Sequence, residues 1–366
     1  MEPLEWKSPA LRRCAFPSLS HTLSSHLNPP EAEAAMVRTE FISTGMYVPE
    51  RVVTNHELEG YMDTSDEWIR QRSGIEERRW AAEDEGGSDM AKVATERALE
   101  AAGMQVDEID CIILATISPD HFFPGTGVFL QRKLGVTDVP CLDIRNQCTG
   151  FLYGLEVADA FIKTGQYRRI LLVGTEVHSS GIILSTEGRD TAVLFGDGAG
   201  VAILGPTEQD GRGVLGVRTH ADGRHAEKLW APAPTCVNKP FITKEMIDDG
   251  LTRPFMEGRD VFKHAVTKMP QALHEVLEMA GNRADELDMV IPHQANMRIA
   301  QVVAKGLGLP EDKMYLNIQR YGNTTAASIP IALHECVAEG RIQRGDLVGF
   351  TAFGSGFTWG GALVRW

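Results

Sequence analysis

The chain has 366 residues, 43% hydrophobic and 23% charged, and a formal net charge of −14. That length suits about two average domains or one fold made of two similar halves, and the composition excludes collagen-like, coiled-coil and generally disordered classes. The acidic balance argues against a nucleic-acid partner, whose phosphates need clustered Lys and Arg, and apolar stretches such as Cys111 to Ile117 fall far short of the about 20 residues of a membrane span.

Residues 1–35 carry Ser, His and Pro without helical or strand periodicity and read as a disordered tail or a start-site artefact ahead of Met36. Arg12, Arg13 and the SLSHTLSSH stretch suggest a transit peptide, which Glu2, Glu5, Glu31 and Glu33 fit poorly. A strand-like run begins at Met36-Val37-Arg38. The helical pattern from Met90 to Gly103 then leads through Asp107-Glu108-Ile109-Asp110 into the apolar strand CIILATISP.

Leu142-Asp143-Ile144 reads as a short strand and Thr149 to Lys163 as a helix, with Phe151, Leu152, Leu155, Ala158 and Ile162 on one face and Gly165 ending it. Cys148 sits at their junction. Unsatisfied N–H groups and the helix dipole there favour a thiolate, lowering its pKa from about 8.5, which makes Cys148 the candidate nucleophile; a packed, inert thiol fits the same position. The six cysteines (Cys14, Cys111, Cys141, Cys148, Cys236 and Cys336) form no C-x-x-C pair, against a disulfide scaffold or a zinc site. A reducing, cytoplasmic setting and no metal are expected.

Ala231 to Arg259 combines Pro232, Pro234, Pro240 and Pro254 with apolar Phe241, Ile242, Met246, Ile247, Phe255 and Met256, and reads as a lid. Beyond it the helix–acidic turn–strand unit repeats: Val261 to Gly281, then Asp285-Glu286-Leu287-Asp288, then MVIPHQAN. VFLQRKLGV (128–136) is likewise echoed by VVAKGLGL (302–309). The repeat divides the chain into halves at 36–210 and 211–366. Buried strands alternating with amphipathic helices predict a duplicated α/β fold with parallel sheets covered on both faces.

His293 falls at the carboxyl end of a predicted parallel strand, where open α/β sheets gather ligands. The repeat sets Tyr321-Gly322-Asn323-Thr324-Thr325 against the Cys148 elbow, so Asn323 and Cys148 are expected in related turns at a shared seam. Gly-Asn is also ordinary turn chemistry. The loop around Phe353-Gly354-Ser355-Gly356 lacks a GKT or GKS ending and no G-x-G-x-x-G opens a helix, so no nucleotide cofactor is indicated. Its small residues let backbone amides approach a reacting carbonyl.

Six motifs in order, TSDEWIRQRSGI (64–75), QCTGF (147–151), VLFGDGAG (193–200), PHQANMRI (292–299), YGNTTAAS (321–328) and AFGSGFTWGGALVRW (352–366), resemble the thiolase-fold condensing enzymes, specifically the β-ketoacyl-acyl-carrier-protein synthase III family, over about 37–366. The resemblance implies a five-layer α-β-α-β-α fold and a homodimer in which a loop near Phe123 lines the partner's acyl pocket. It implies that Cys148 takes an acyl group from a coenzyme A thioester and condenses it with malonyl on acyl carrier protein, releasing carbon dioxide and starting fatty acid synthesis without a cofactor. His293 and Asn323 would stabilise the malonyl enolate, and the backbone N–H groups of Cys148 and Ser355 the acyl-transfer oxyanion.

The same resemblance carries Trp68, Arg72 and Arg189 to the coenzyme A adenine and Phe123, Met256, Arg259 and Phe353 to the substrate path. It assigns Gln294, Ala295, Asn296, Met297, Arg298, Lys263 and Lys305 to the carrier protein, a basic island that an acidic partner of an acidic enzyme requires. Thr149 and Arg145-Asn146-Gln147 depart from the family's usual small residues, as do Gly306 and Arg259 from its usual polar or basic ones. The lid's length suggests an acyl group longer than acetyl. The alternatives are an acyltransferase or condensing enzyme of secondary metabolism, a catalytically silent acyl-thioester scaffold, an HMG-CoA synthase and a cysteine hydrolase.

Overall fold

The structure, a computed structural model, describes residues 37–366, which form one compact unit. The reading of residues 1–35, and Cys14 with it, lies outside the described residues. Two sheets dominate. The first contains β1 (Arg38–Tyr47), β2 (Cys111–Ala115), β3 (Cys141–Ile144), β4 (Ile170–Glu176) and β5 (Gly198–Thr207) in the order β1-β5-β4-β2-β3. The second contains β6 (Gly213–Ala221), β7 (Met289–Pro292), β8 (Leu347–Gly354) and β9 (Thr358–Arg365) in the order β7-β8-β9-β6.

The sheets are mixed, not parallel as expected. Pairs β2/β3, β2/β4 and β7/β8 are parallel, whereas β1/β5, β4/β5, β8/β9 and β6/β9 are antiparallel. The β8/β9 pair is antiparallel because its connection is short: Gly354 to Thr358 leaves no room for a crossover helix, so β9 must turn back on β8.

Helices α1 (Asp66–Ser73), α2 (Gly87–Ala102), α3 (Thr126–Leu134), α4 (Gly150–Lys163), α5 (Gly258–Met279), α6 (Met297–Leu307) and α7 (Ser328–Ala338) complete the framework. Strand alternation explains the layers. In β2, Cys111 and Ile113 join the central core, where Leu152, Leu155 and Ile162 of α4 and Ile329 and Leu333 of α7 meet Val348 and Phe350 of β8. Ile112 and Leu114 face the other way, onto Ala91, Ala94 and Ala98 of α2 and Leu130 of α3. The outer face of the second sheet packs Val290 and Leu363 against Leu273 of α5 and Val303 of α6. The result is the five-layer α-β-α-β-α thiolase-like arrangement, and burial on both faces is why β2 is continuously apolar.

The internal repeat extends to single hydrogen bonds. Short turns at Val106–Glu108 and Ala284–Glu286 precede β2 and β7, and in each the glutamate accepts the N–H three residues back, Gln105 to Glu108 and Arg283 to Glu286, both at 2.8 Å. Asp110 and Asp288 then donate their N–H groups to the carbonyls of Arg169, just ahead of β4, and Leu347, at the start of β8.

Candidate active site

Cys148 occupies the one-turn 3₁₀ segment Gln147–Thr149 between β3 and α4. Gln147 has φ 41°, in the left-handed region that side chains resist, so the elbow is a strained one. It is fastened by the Thr149 hydroxyl, which donates to the Asn146 carbonyl at 2.9 Å and meets the Thr358 hydroxyl of β9 at 2.9 Å. Gly354, ending β8, leaves the sulfur its room: a Cβ there would lie 2.8 Å from Cys148 Cβ and 3.4 Å from Sγ.

The expected lowering of the thiol pKa is not what this geometry produces. Burial pushes Cys148 up to about 12, the Glu176 carboxylate adds to the rise, and only the backbone N–H of Cys148 itself opposes it. The reason is local: the N–H groups of Thr149 and Gly150 already donate to the carbonyls of Asn146 and Gln147, so they do not face the sulfur as an open helix end. The resting form of Cys148 is the thiol.

His293 directly follows β7, and its N–H donates to the Thr351 carbonyl of β8 at 2.8 Å. Its Nδ1 bonds the Ser328 hydroxyl at 2.7 Å. Its Nε2 is buried without a partner among the described residues. Burial lowers the imidazole pKa to about 3, so the ring is neutral. A buried polar atom left unpaired costs about 1–3 kcal/mol, so Nε2 is available for a hydrogen bond to a further group.

Asn323 is held by its backbone, with its N–H on the Leu194 carbonyl at 2.8 Å and its own carbonyl accepting from Gly196 at 3.2 Å. Its Oδ1 accepts the Thr325 N–H at 2.9 Å, leaving Nδ2 to donate elsewhere. The repeat places it less simply than expected. The turn Thr325–Ala327 leads into α7 as Gln147–Thr149 leads into α4, so Ala326 stands where Cys148 does and Asn323 precedes the related turn.

Shared neighbours draw these groups together. β8 meets Cys148 through Gly354 and His293 through Thr351, Ser328 ties His293 to the start of α7, and Gly150 beside Cys148 faces Ala326. Ser355 follows Gly354, and its carbonyl accepts the Thr358 hydroxyl at 3.0 Å.

Two partnered groups, one buried and one half-buried, escaped the sequence reading. Glu176, ending β4, accepts from the Ser118 hydroxyl at 2.6 Å, from the Thr116 hydroxyl and the Ile117 and Ser118 N–H groups at 3.2 Å, and from the Ala326 N–H at 3.4 Å. Burial lifts its pKa to about 7. His178 lies just beyond it, with Nε2 2.7 Å from the Thr325 hydroxyl. A carboxylate and an imidazole ending the apolar run ILLVGTEVH were the available signal, because such groups are buried only when partnered.

A cleft of about 490 Å³ opens beside Trp68, lined also by Arg72, Asn296, Arg253 and Met256. The Trp68 ring lies 4.3 Å from the Arg72 guanidinium and 4.8 Å from that of Arg189, so the three assigned to one ligand group do gather. Arg253 was not anticipated. Arg259 is exposed at the start of α5, and Phe123 is 81% exposed. Phe353 lies away from this cleft, in a buried aromatic group with Phe357 beside a cavity of about 170 Å³.

The supposed lid is closed at its base by antiparallel pairing of Leu229–Trp230 with Phe255–Met256. Arg253, Pro254, Phe255 and Met256 border the Trp68 cleft, while Val237, Ile242 and Ile247 face outward. Of the carrier set, Gln294 is corrected: it is 2% exposed, its Nε2 donates to the Pro292 and Tyr315 carbonyls and its Oε1 accepts from Asn317, so it braces the loop from within. Asn296 caps α6 and donates to the Arg72 carbonyl at 2.8 Å. Ala295 and Met297 are half-buried, and Met297 packs against Gly74. Arg298, Lys263 and Lys305 are exposed on the packed pair α5 and α6. Gly306 faces Pro270 of α5, where a Cβ would lie 3.0 Å from the ring.

Among the described residues no group of three or more His, Cys, Asp and Glu could hold a metal, and no helix is long and apolar enough to cross a membrane.

Family models for 3-oxoacyl-[acyl-carrier-protein] synthase III match residues 142–223, and for its C-terminal part residues 277–366. The β-ketoacyl-[acyl-carrier-protein] synthase III of Caldanaerobacter subterraneus subsp. tengcongensis is 44% identical over 89% of this chain and 97% of its own. That of Geobacillus kaustophilus is 46% identical over 89% and 98%. The crystal structure of 3-oxoacyl-[acyl-carrier-protein] synthase III from Aquifex aeolicus superposes with a TM-score of 0.82 at 44% identity, covering 90% of this chain and all of that one. With the sheet order, the elbow and the Gly-rich β8–β9 turn already in place, these likenesses identify the chain as a member of the β-ketoacyl-[acyl-carrier-protein] synthase III family.

Proposed function

We propose that the chain joins an acyl group from acyl-CoA to malonyl carried on acyl carrier protein, the condensation that starts fatty acid synthesis, with Cys148 as nucleophile and His293 and Asn323 as enolate stabilisers. The observation that carries this assignment is the buried, unpartnered Nε2 of a neutral His293, which β8 connects to the Cys148 elbow through Thr351 and Gly354.

In the first half-reaction the Cys148 sulfur attacks the acyl-CoA carbonyl, a carbon–sulfur bond forms, and coenzyme A leaves as its thiol with the proton that Cys148 gives up. Because the resting sulfur is protonated, that proton must leave during attack, and His293 Nε2 is the neutral base proposed to take it. The backbone N–H groups of Cys148 and Ser355 would receive the oxyanion.

In the second half-reaction the malonyl carbon–carbon bond breaks, carbon dioxide leaves, and negative charge moves onto the thioester oxygen. When Ser328 donates to Nδ1, the proton of His293 sits on Nε2, and that N–H together with Asn323 Nδ2 supplies two donors to the enolate. The enolate carbon then attacks the acyl-Cys148 carbonyl, the carbon–sulfur bond breaks, and Cys148 recovers a proton.

Trp68, Arg72 and Arg189 fit a planar, anionic coenzyme, and Arg298, Lys263 and Lys305 fit an acidic carrier. The same proposal includes a homodimer with Phe123 reaching toward the partner, a cytoplasmic location and no cofactor. The test separates the half-reactions. Asn323→Ala should still acquire an acyl group from a panel of acyl-CoAs, by intact mass, while carbon dioxide release from malonyl-acyl-carrier-protein falls by about 100-fold or more; His293→Ala, which also lacks the proposed base, should slow both steps. Acyl transfer without any carbon dioxide release in the unaltered protein would overturn the reading in favour of a pure acyltransferase.

A further inference from the structure

The turn after Asn323 is clamped by two side chains from the end of β4. Thr325 has φ 46°, a conformation that a β-branched residue resists, so outside contacts must hold it. Its N–H donates to Asn323 Oδ1, which fixes the carboxamide so that Nδ2 is the group left to donate. On the other side the Thr325 hydroxyl meets His178 Nε2 at 2.7 Å, and the Ala326 N–H donates to Glu176 at 3.4 Å.

His178 is itself well anchored. Its ring rests on Phe195 with centroids 4.6 Å apart, and Phe195 pairs with Asn323 in an isolated parallel bridge. The following Ser179 donates both its N–H and its hydroxyl to Asp197, and Gly181 donates to the His178 carbonyl at 3.0 Å. Thus the imidazole contacts Asn323 by two routes, through Thr325 and through Phe195. From this geometry we infer that His178 is a positioning residue for the malonyl half-reaction, holding the Asn323 carboxamide in its donating orientation by way of Thr325.

Burial lowers the imidazole pKa to about 4, so at neutral pH the ring is uncharged and acts through one hydrogen bond, donated by either Nε2 or the threonine hydroxyl. The inference rests on the reading of Asn323 above, and predicts a split that general destabilisation would not give. Among the described residues no hydrogen bond joins His178 to Cys148, so acylation should be spared.

The experiment compares His178→Phe, which keeps an aromatic ring on Phe195 without the hydrogen bond, with His178→Gln, which restores a polar atom near Nε2. In His178→Phe, kcat for carbon dioxide release from malonyl-acyl-carrier-protein should fall about 10-fold or more, the reach of a misplaced catalytic group. Cys148 acylation, followed by intact mass, should stay within about two-fold of wild type, and His178→Gln should recover most of the lost rate. Wild-type carbon dioxide release in His178→Phe overturns the inference, as does an equal loss of both half-reactions. Should that variant fail to fold, Thr325→Val removes the other partner: the same split supports the inference and a wild-type rate overturns it. Asn323→Ala is the control. If it slows carbon dioxide release and His178→Phe does not, only this inference fails; if it leaves release untouched, the reading of Asn323 fails as well.

Discussion

Gly354→Ala places a single methyl group against the proposed nucleophile. Its carbon would lie 2.8 Å from Cys148 Cβ, 3.3 Å from the backbone nitrogen and 3.4 Å from Sγ. The first distance is below ordinary van der Waals contact, and the Thr149 hydroxyl fastens the elbow to Asn146 and Thr358, so the elbow and the end of β8 must part by several tenths of an ångström. Forcing one methyl group into a packed core costs about 1–3 kcal/mol. If that strain is relieved by moving the sulfur from its attacking position, acylation slows by roughly 5- to 150-fold. If it stays in the fold, thermal stability drops by the corresponding amount. Stopped acylation time courses by intact mass, paired with thermal unfolding, measure both. A variant that acylates at the wild-type rate with an unchanged melting temperature would refute the claim that β8 packs on the Cys148 elbow.

With a thiol lifted to about 12, iodoacetamide labelling of Cys148 should keep rising with pH past about 9, where an ordinary or depressed thiol levels off; a plateau near neutrality would contradict the burial argument. Trp68→Ala removes the ring that both arginines approach and should raise KM for acyl-CoA by about 10-fold with little change in KM for the malonyl carrier, as steady-state kinetics would show. Arg298→Glu should do the reverse, and its penalty should shrink as salt increases. His293 and His178, lowered to about 3 and about 4, contribute stability that is complete above about pH 6.5 and is lost as pH falls. Glu176, raised to about 7, opposes them, since its contribution fades as pH rises from about 4.5 to about 7. Urea midpoints should therefore fall between pH 7 and pH 5 more steeply in Glu176→Gln than in the unaltered protein, and an equal or shallower fall would contradict the assignment.

What the sequence made legible was what local pattern encodes. The apolar run of β2, the two acidic turns and the strand end carrying His293 are short-range signals, and the duplication was visible because both copies kept the glutamate that closes each turn. Sheet direction was not legible in the same way, since it depends on how short the β8–β9 connection leaves the chain. The Cys148 elbow was found by position, but its electrostatics were misjudged: whether a helix-end N–H faces a sulfur or is already bonded depends on Asn146 and Gln147 carbonyls. Gln294 looked like a surface residue within a functional motif and proved to be an interior brace because Tyr315 and Asn317 close over it. His178 and Glu176 were missed for a related reason. Their partners, Thr325 and Ala326, lie about 150 residues further along the chain, and no periodicity reports a contact of that span.

The most direct test of the central claim is peptide mapping of the protein after brief exposure to acyl-CoA alone. The account predicts one acyl group per chain, on the peptide containing Cys148, absent in Cys148→Ala and discharged as β-ketoacyl product when malonyl-acyl-carrier-protein is added. Acyl label on any other residue, or undiminished product formation by Cys148→Ala, would contradict it.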